Sequence, residues 1–164
     1  MERKRKTVFV TQAAMIAAIY VVLTMVFAPF GFGEVQVRIS EALTVLPMFT
    51  PAAIPGLFIG CVIANLFARA IVLDVIFGSL ATLIGAVGTY LLRKNKWLAP
   101  IPPMVANALI VPFVLKYGYA VPLPIPFMML TVGVGEVISC GILGSIVRKG
   151  LDGYKGIIFA GLAR

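Results

Sequence analysis

The sequence predicts an all-α integral membrane protein, a six-transmembrane-helix bundle with both its N- and C-termini cytoplasmic. Three observations predict it. Of 164 residues, 61% are hydrophobic and only 12% charged, where a soluble domain carries about 25% charged residues. The hydrophobic residues come in long uncharged runs, and about 18 such residues suffice for a helix to cross a hydrocarbon core roughly 30 Å thick. The basic residues behind the net charge of +8 sit in short clusters between those runs. That placement holds loops on the cytoplasmic side and argues against a nucleic-acid partner.

The first span comes from Val8 to Phe27, twenty residues without a charge. It is expected at about 8–28 and ends at the turn-rich Ala28-Pro29-Phe30-Gly31-Phe32-Gly33. A basic cluster, Arg3 to Lys6, precedes it, and no small-residue cleavage site follows a short apolar core. A retained helix is therefore expected rather than a removed signal. A polar interval from Glu34 to Glu41 follows. From Ala42 to Ala68 there are 27 uncharged residues, interrupted by Pro47, Pro51 and Pro55. That is long for one span and too short for two full ones. Val75 to Leu92 is the next run and ends in the basic Arg93-Lys94-Asn95-Lys96-Trp97. Leu98 to Leu115, a proline-rich interval at Pro122, Pro124 and Pro126, and Phe127 to Val147 complete the pattern, with Arg148-Lys149 behind them.

Parity resolves the ambiguous stretch. The three basic clusters must share one side, so an even number of passes separates each pair. The Ala42 to Ala68 region must then cross twice, as helices at about 39–49 and 54–69. The remaining helices are expected at about 74–92, 98–116 and 126–147, all in one membrane domain spanning 1–164. This arrangement leaves eleven of the fourteen Lys and Arg inside and only Arg38, Arg69 and Lys116 outside. A second helix shorter than the membrane is acceptable where its outer end lines a protein cavity, which places a pocket near Gly33 to Glu41.

Polar groups inside spans are candidate functional groups, because an unpaired charge at mid-depth costs at least ~3 kcal/mol. Glu136 lies about nine residues into the last span, either as a functional carboxylate or as a protonated Glu bonded to a neighbouring helix. Asn107 offers a donor and an acceptor together, suited to a heterocycle edge or to holding two helices together. Asn65 lies near the outer end of the third helix. Asp74 opens the fourth, where it caps the helix or meets a ligand. Arg38 and Glu41, three residues apart, pair with each other or jointly face a ligand. Ala13 with Ala17 and Ala14 with Ala18 make two overlapping Ala-x-x-x-Ala patterns, a flat strip for close helix approach. Cys61 and Cys140 read as small buried hydrophobes.

No histidine occurs, which excludes a His-based metal site, general base or proton relay. Neither a phosphate-binding Gly-Lys-Ser/Thr loop nor an aspartate cluster is present, so the chain is expected to be no enzyme and to hydrolyse no ATP itself. No metal and no cofactor is expected.

Four stretches carry a family resemblance: Gln36-Val37-Arg38-Ile39-Ser40-Glu41-Ala42-Leu43, the Pro-Ala-Ala-Ile-Pro-Gly from Pro51 to Gly56, Asp74 to Leu80, and Gly133-Val134-Gly135-Glu136-Val137-Ile138-Ser139. The chain resembles the QueT family over nearly its whole length. Those proteins are S-components, the substrate-binding subunits of energy-coupling factor (ECF) transporters, associated with uptake of queuosine precursors of the 7-deazaguanine type. The resemblance implies the six-helix S-component fold in the plasma membrane and an outward-facing pocket for the small-molecule substrate, walled by the first loop and helices 4 to 6; from residue type and depth, Arg38, Glu41, Asn65, Asp74, Asn107 and Glu136 are the residues expected to bind it. It makes Ala13, Ala14, Ala17 and Ala18 the docking strip for a transmembrane coupling protein, which carries two ATPase subunits. Phe32, Phe77 and Phe127 are available for stacking. The alternatives are an S-component for another vitamin, or a small stand-alone carrier or channel using Glu136.

Overall fold

The computed structural model describes residues 2–28, 37–154 and 156. Residues 29–36, which include Phe32, Gly33 and Glu34 of the expected outer pocket, lie outside the described residues. Among the described residues there are six helices and no strand. They are α1 Glu2–Val26, α2 Ile39–Met48, α3 Ala53–Phe67, α4 Asp74–Leu91, α5 Ile101–Tyr117 and α6 Ile125–Asp152. Helices α1, α4 and α6 are long and apolar enough to cross a membrane, while α2, α3 and α5 are shorter. The outer surface of the bundle is apolar, with Val10, Val22, Leu66, Phe67, Leu91, Leu130 and Ile146 all more than half exposed. A surface of that kind suits hydrocarbon rather than water.

Both terminal helices run past their apolar runs. α1 starts at Glu2, where Lys6 pairs with Glu2 at 2.8 Å, and α6 continues to Asp152, which stands 3.9 Å from Arg148. Hydropathy marks where lipid ends, whereas a helix stops only where its backbone loses support, and i,i+4 ion pairs extend that support. α5 begins at Ile101 because Asn95 Oδ1 accepts the Trp97 and Leu98 N–H groups at 3.1 and 3.4 Å and holds that stretch in a turn.

α2 is wound as a 3₁₀ helix. At ~2.0 Å rise per residue its ten residues cover ~20 Å, against ~15 Å for the same residues in an α-helix. A short segment thereby reaches deep into the bundle. Pro47 lies within it, and beyond it Phe49 and Thr50 both donate to the Leu46 carbonyl. Thr50 closes the turn into α3 by donating to Gln12 Oε1 on α1 at 2.9 Å.

Helices α1 and α3 meet backbone to backbone. A Cβ on Gly56 would stand 2.8 Å from the Ala13 carbonyl, and one on Gly60 would stand 2.9 Å from Tyr20 Cβ and 3.0 Å from Ala17 Cα. α3 ends in a left-handed residue, Arg69 at φ 55°. Arg69 N–H returns to Leu66 and Ala70 N–H to the Asn65 carbonyl, which satisfies the open helix end. Two segments carry π winding, Asp74–Gly78 at the start of α4 and Val137–Leu143 in α6. Each adjoins a buried acid, Asp74 or Glu136, and such wide turns often sit at functional sites.

The α1–α3 contact yields a prediction. Gly60→Leu inserts a side chain where no space exists, and should destabilise the protein by about 1–3 kcal/mol, read as a lower thermal midpoint in detergent. An unchanged midpoint would mean that α1 and α3 do not pack through this face.

Candidate ligand-binding site

The second helix supplies the centre of the site. Glu41 is wholly buried, and its Oε1 accepts a short hydrogen bond from the Tyr20 hydroxyl of α1 and one of 3.2 Å from Thr82 of α4. Its Oε2 has no hydrogen-bond partner among the described residues. From α6 comes Glu136, also buried. One turn later Cys140 donates its thiol proton to Glu136 Oε2 at 3.1 Å and lies 3.6 Å from the Glu41 carbonyl. The same sulfur accepts from Thr44 at 3.4 Å. The Asn107 amide of α5 stands beside Glu136. Donor atoms of Glu41, Glu136 and Cys140 lie within 4.8 Å of one another, so this set is the place where a single ion could be shared. Its thiol, however, is engaged as a hydrogen-bond donor to Glu136, and the set reads as two neighbouring buried acids, each held by its own hydrogen-bond donors.

A second group adjoins the first. Arg38 caps the start of α2 and donates from Nη2 to Asn65 Oδ1 at 2.8 Å, with Asp74 Oδ2 at 3.9 Å. Asn65 donates to the Asp74 carbonyl at 3.2 Å. Tyr119, in the connection between α5 and α6, donates to Asp74 Oδ2 at 3.0 Å. Burial, then the Asp74 charge and this hydrogen bond, push the Tyr119 hydroxyl up to about 12, so it remains a donor throughout the physiological range. Gly78 makes room for this carboxylate, since a Cβ there would stand 2.6 Å from Asp74 Oδ1. Cys61 joins the two groups, for its sulfur lies 3.5 Å from the Thr82 hydroxyl and 3.7 Å from Asn65 Nδ2.

The arrangement has a definite chemical appetite. Two ionised carboxylates with oxygens no more than 4.8 Å apart would repel by at least about 3.5 kcal/mol at an effective dielectric of 20. The Glu41 and Glu136 pair therefore favours a partner that brings N–H donors or positive charge between its members. Arg38 and Asn107 add donors on the flanks, so the site matches a small polar molecule with several donors along one edge and an acceptor beside them.

The six residues singled out for binding, Arg38, Glu41, Asn65, Asp74, Asn107 and Glu136, are all at most 8% exposed and belong to this one connected network. Arg38 pairs with Asp74. Asp74 does more than cap α4, since Arg38 and Tyr119 engage its carboxylate. Both cysteines are free and buried in the core, as expected of small buried hydrophobes, and their sulfurs also meet the polar network. Tyr20, Thr44, Thr82 and Tyr119 were missed, because single hydroxyls inside apolar runs look the same whether they pack or bind. Cys140 carried a signal, standing one helical turn from Glu136.

The small strip of α1 divides between two faces. Ala17 is 7% exposed and, with Ala13, packs on Gly60 and Gly56 of the same chain. Ala14 and Ala18 face outward. Phe77 and Phe127 are 45% and 49% exposed. Phe77 lines an apolar groove with Leu73, Leu109 and Phe113.

Comparison with known proteins places the chain among transporters. The family model described as QueT transporter matches residues 10–153. A curated relative, the "Queuosine precursor transporter QueT" of Lactococcus lactis subsp. cremoris (strain MG1363), is 38% identical over 84 residues. That match covers 50% of this chain and 49% of the relative, so the chain spans about half the length of the curated relative it matches. No solved structure matches. A match over most of the chain to this one transporter family agrees with the apolar exterior and the buried polar centre: the chain belongs to the QueT transporter family.

Proposed function

We propose that this protein is the substrate-binding membrane subunit of an ATP-driven ECF uptake transporter, taking a queuosine precursor of the 7-deazaguanine type from outside and delivering it to the cytoplasm. One observation carries the reading: a continuous buried network of Arg38, Glu41, Asn65, Asp74, Asn107 and Glu136 at the centre of an apolar bundle. A deazaguanine presents N1–H and an exocyclic amine side by side, which one carboxylate accepts as a pair, and a ring carbonyl that Asn107 is suited to meet. The second carboxylate offsets an aminomethyl cation where the precursor carries one. The name of the Lactococcus relative supports the ligand class.

In this reading all six helices cross the plasma membrane, with both ends and the Arg93 to Lys96 loop in the cytoplasm, as the distribution of basic residues favours. The chain has no nucleotide-binding motif, and an ATPase pair bound to a transmembrane coupling protein would supply the energy. Of the four alanines, the outward Ala14 and Ala18, beside exposed Val10 and Val22, are the ones open to that partner. The alternatives are a subunit for another vitamin and a stand-alone carrier that uses Glu136.

Uptake of a labelled 7-deazaguanine by cells expressing the chain tests this directly. Uptake should require the energy-coupling module and fall ~10-fold or more in Glu136→Gln, the size expected for a lost hydrogen bond to a charged group. Uptake that persists without the module would favour the carrier. Ala14→Trp or Ala18→Trp should leave ligand affinity of the isolated subunit within about twofold, because surface changes away from a site are nearly neutral, yet abolish co-purification with the coupling protein. Retained co-purification would move the docking face elsewhere.

A further inference from the structure

Glu41 meets the rest of the site asymmetrically. Both hydrogen bonds to its carboxylate fall on Oε1, from Tyr20 and Thr82, while Oε2 has no partner among the described residues although the side chain is wholly buried. A carboxylate oxygen accepts about two hydrogen bonds, so Oε1 is filled and Oε2 retains its full capacity. Tyr20 has the Glu41 carboxylate as its side-chain acceptor, and its ring is 1% exposed, packed where Gly60 leaves room for it. Thr82 has one proton to give and three acceptors within reach: Glu41 Oε1 and the Gly78 carbonyl, both at 3.2 Å, and Cys61 Sγ at 3.5 Å. The charged oxygen is the strongest of these acceptors. The two donors come from different helices, α1 and α4, and hold the carboxylate from both.

Glu136 is held differently. Its Oε2 accepts the Cys140 thiol, a weak donor, and Asn107 adds an amide contact. Capacity for a two-point contact therefore remains on Glu136.

We infer that Tyr20, seconded by Thr82, is a positioning residue that saturates one oxygen of Glu41 and presents the other as a single acceptor to the ligand, leaving the paired contact to Glu136. This rests on the site being a ligand pocket as proposed above. Tyr20 touches no ligand itself. It sets how many donors Glu41 accepts, and so contributes to the choice among ligands that differ in the number of N–H groups on one edge.

The test is a double-mutant cycle on the purified full chain, with affinity for a 7-deazaguanine measured by calorimetry. Tyr20→Phe should weaken binding ~10-fold and Thr82→Val ~3-fold, the range for a hydrogen bond to a charged group. In the Glu41→Gln background each factor should shrink to below about twofold, because contacts within one network are not additive. Wild-type binding unchanged by Tyr20→Phe, or a loss of equal size with and without Glu41, would overturn the inference by leaving Tyr20 a packing residue. Should Tyr20→Phe not fold, Thr82→Val against Glu41→Gln decides by the same criterion. If the wild-type chain binds no deazaguanine, the functional reading itself fails, an outcome distinct from failure of the cycle alone.

Discussion

Three carboxylates and one guanidinium, those of Glu41, Asp74, Glu136 and Arg38, are held out of water in a bundle whose exterior is apolar, and much of the structure answers to that constraint. Each polar group so placed costs free energy unless it is hydrogen-bonded. The hydroxyls of Tyr20, Thr82 and Tyr119 and the thiol of Cys140 donate to the carboxylates, and Asn65 accepts from the guanidinium. What stays unmet is as telling as what is met. Glu41 Oε2 and the hydroxyls of Ser79 and Ser139 are buried without a partner among the described residues. Unsatisfied groups of this kind are rare in folded proteins and call for a ligand, a water or an ion.

Backbone choices place these groups. Gly56 and Gly60 let α1 approach α3 closely enough for Tyr20 to reach Glu41. The 3₁₀ winding of α2 stretches ten residues over a greater depth, so Arg38 at its start and Glu41 one turn later serve two adjoining groups. The π segments of α4 and α6 widen the helix beside Asp74 and Glu136. Tight packing on one side of the bundle and loosened winding on the other thus act on the same few side chains.

Much of this was legible from residue types alone. Charge-free runs located helices, and charges or amides inside those runs located the network, because hydrocarbon tolerates few such groups. Hydropathy does not see winding, which is why the 3₁₀ form of α2 and the helical extension of α1 to Glu2 were invisible. Neutral hydroxyls were invisible too. Tyr20 and Thr82 differ from ordinary packing residues only through the Glu41 they face across three helices. The Ala-x-x-x-Ala strip signalled a close approach correctly in kind. The partner for Ala13 and Ala17 was the small-residue face of α3, which a one-dimensional reading cannot assign.

The central claim is that the buried acid pair exists to receive a nitrogen heterocycle of the deazaguanine class. Calorimetry on the purified, detergent-solubilised wild-type chain tests it most directly, with 7-deazaguanine precursors offered beside guanine, riboflavin and thiamine. Saturable binding of a deazaguanine, with none of the other three competing, is the predicted result. Folded protein that binds no deazaguanine, or that prefers one of the other three, would contradict the account.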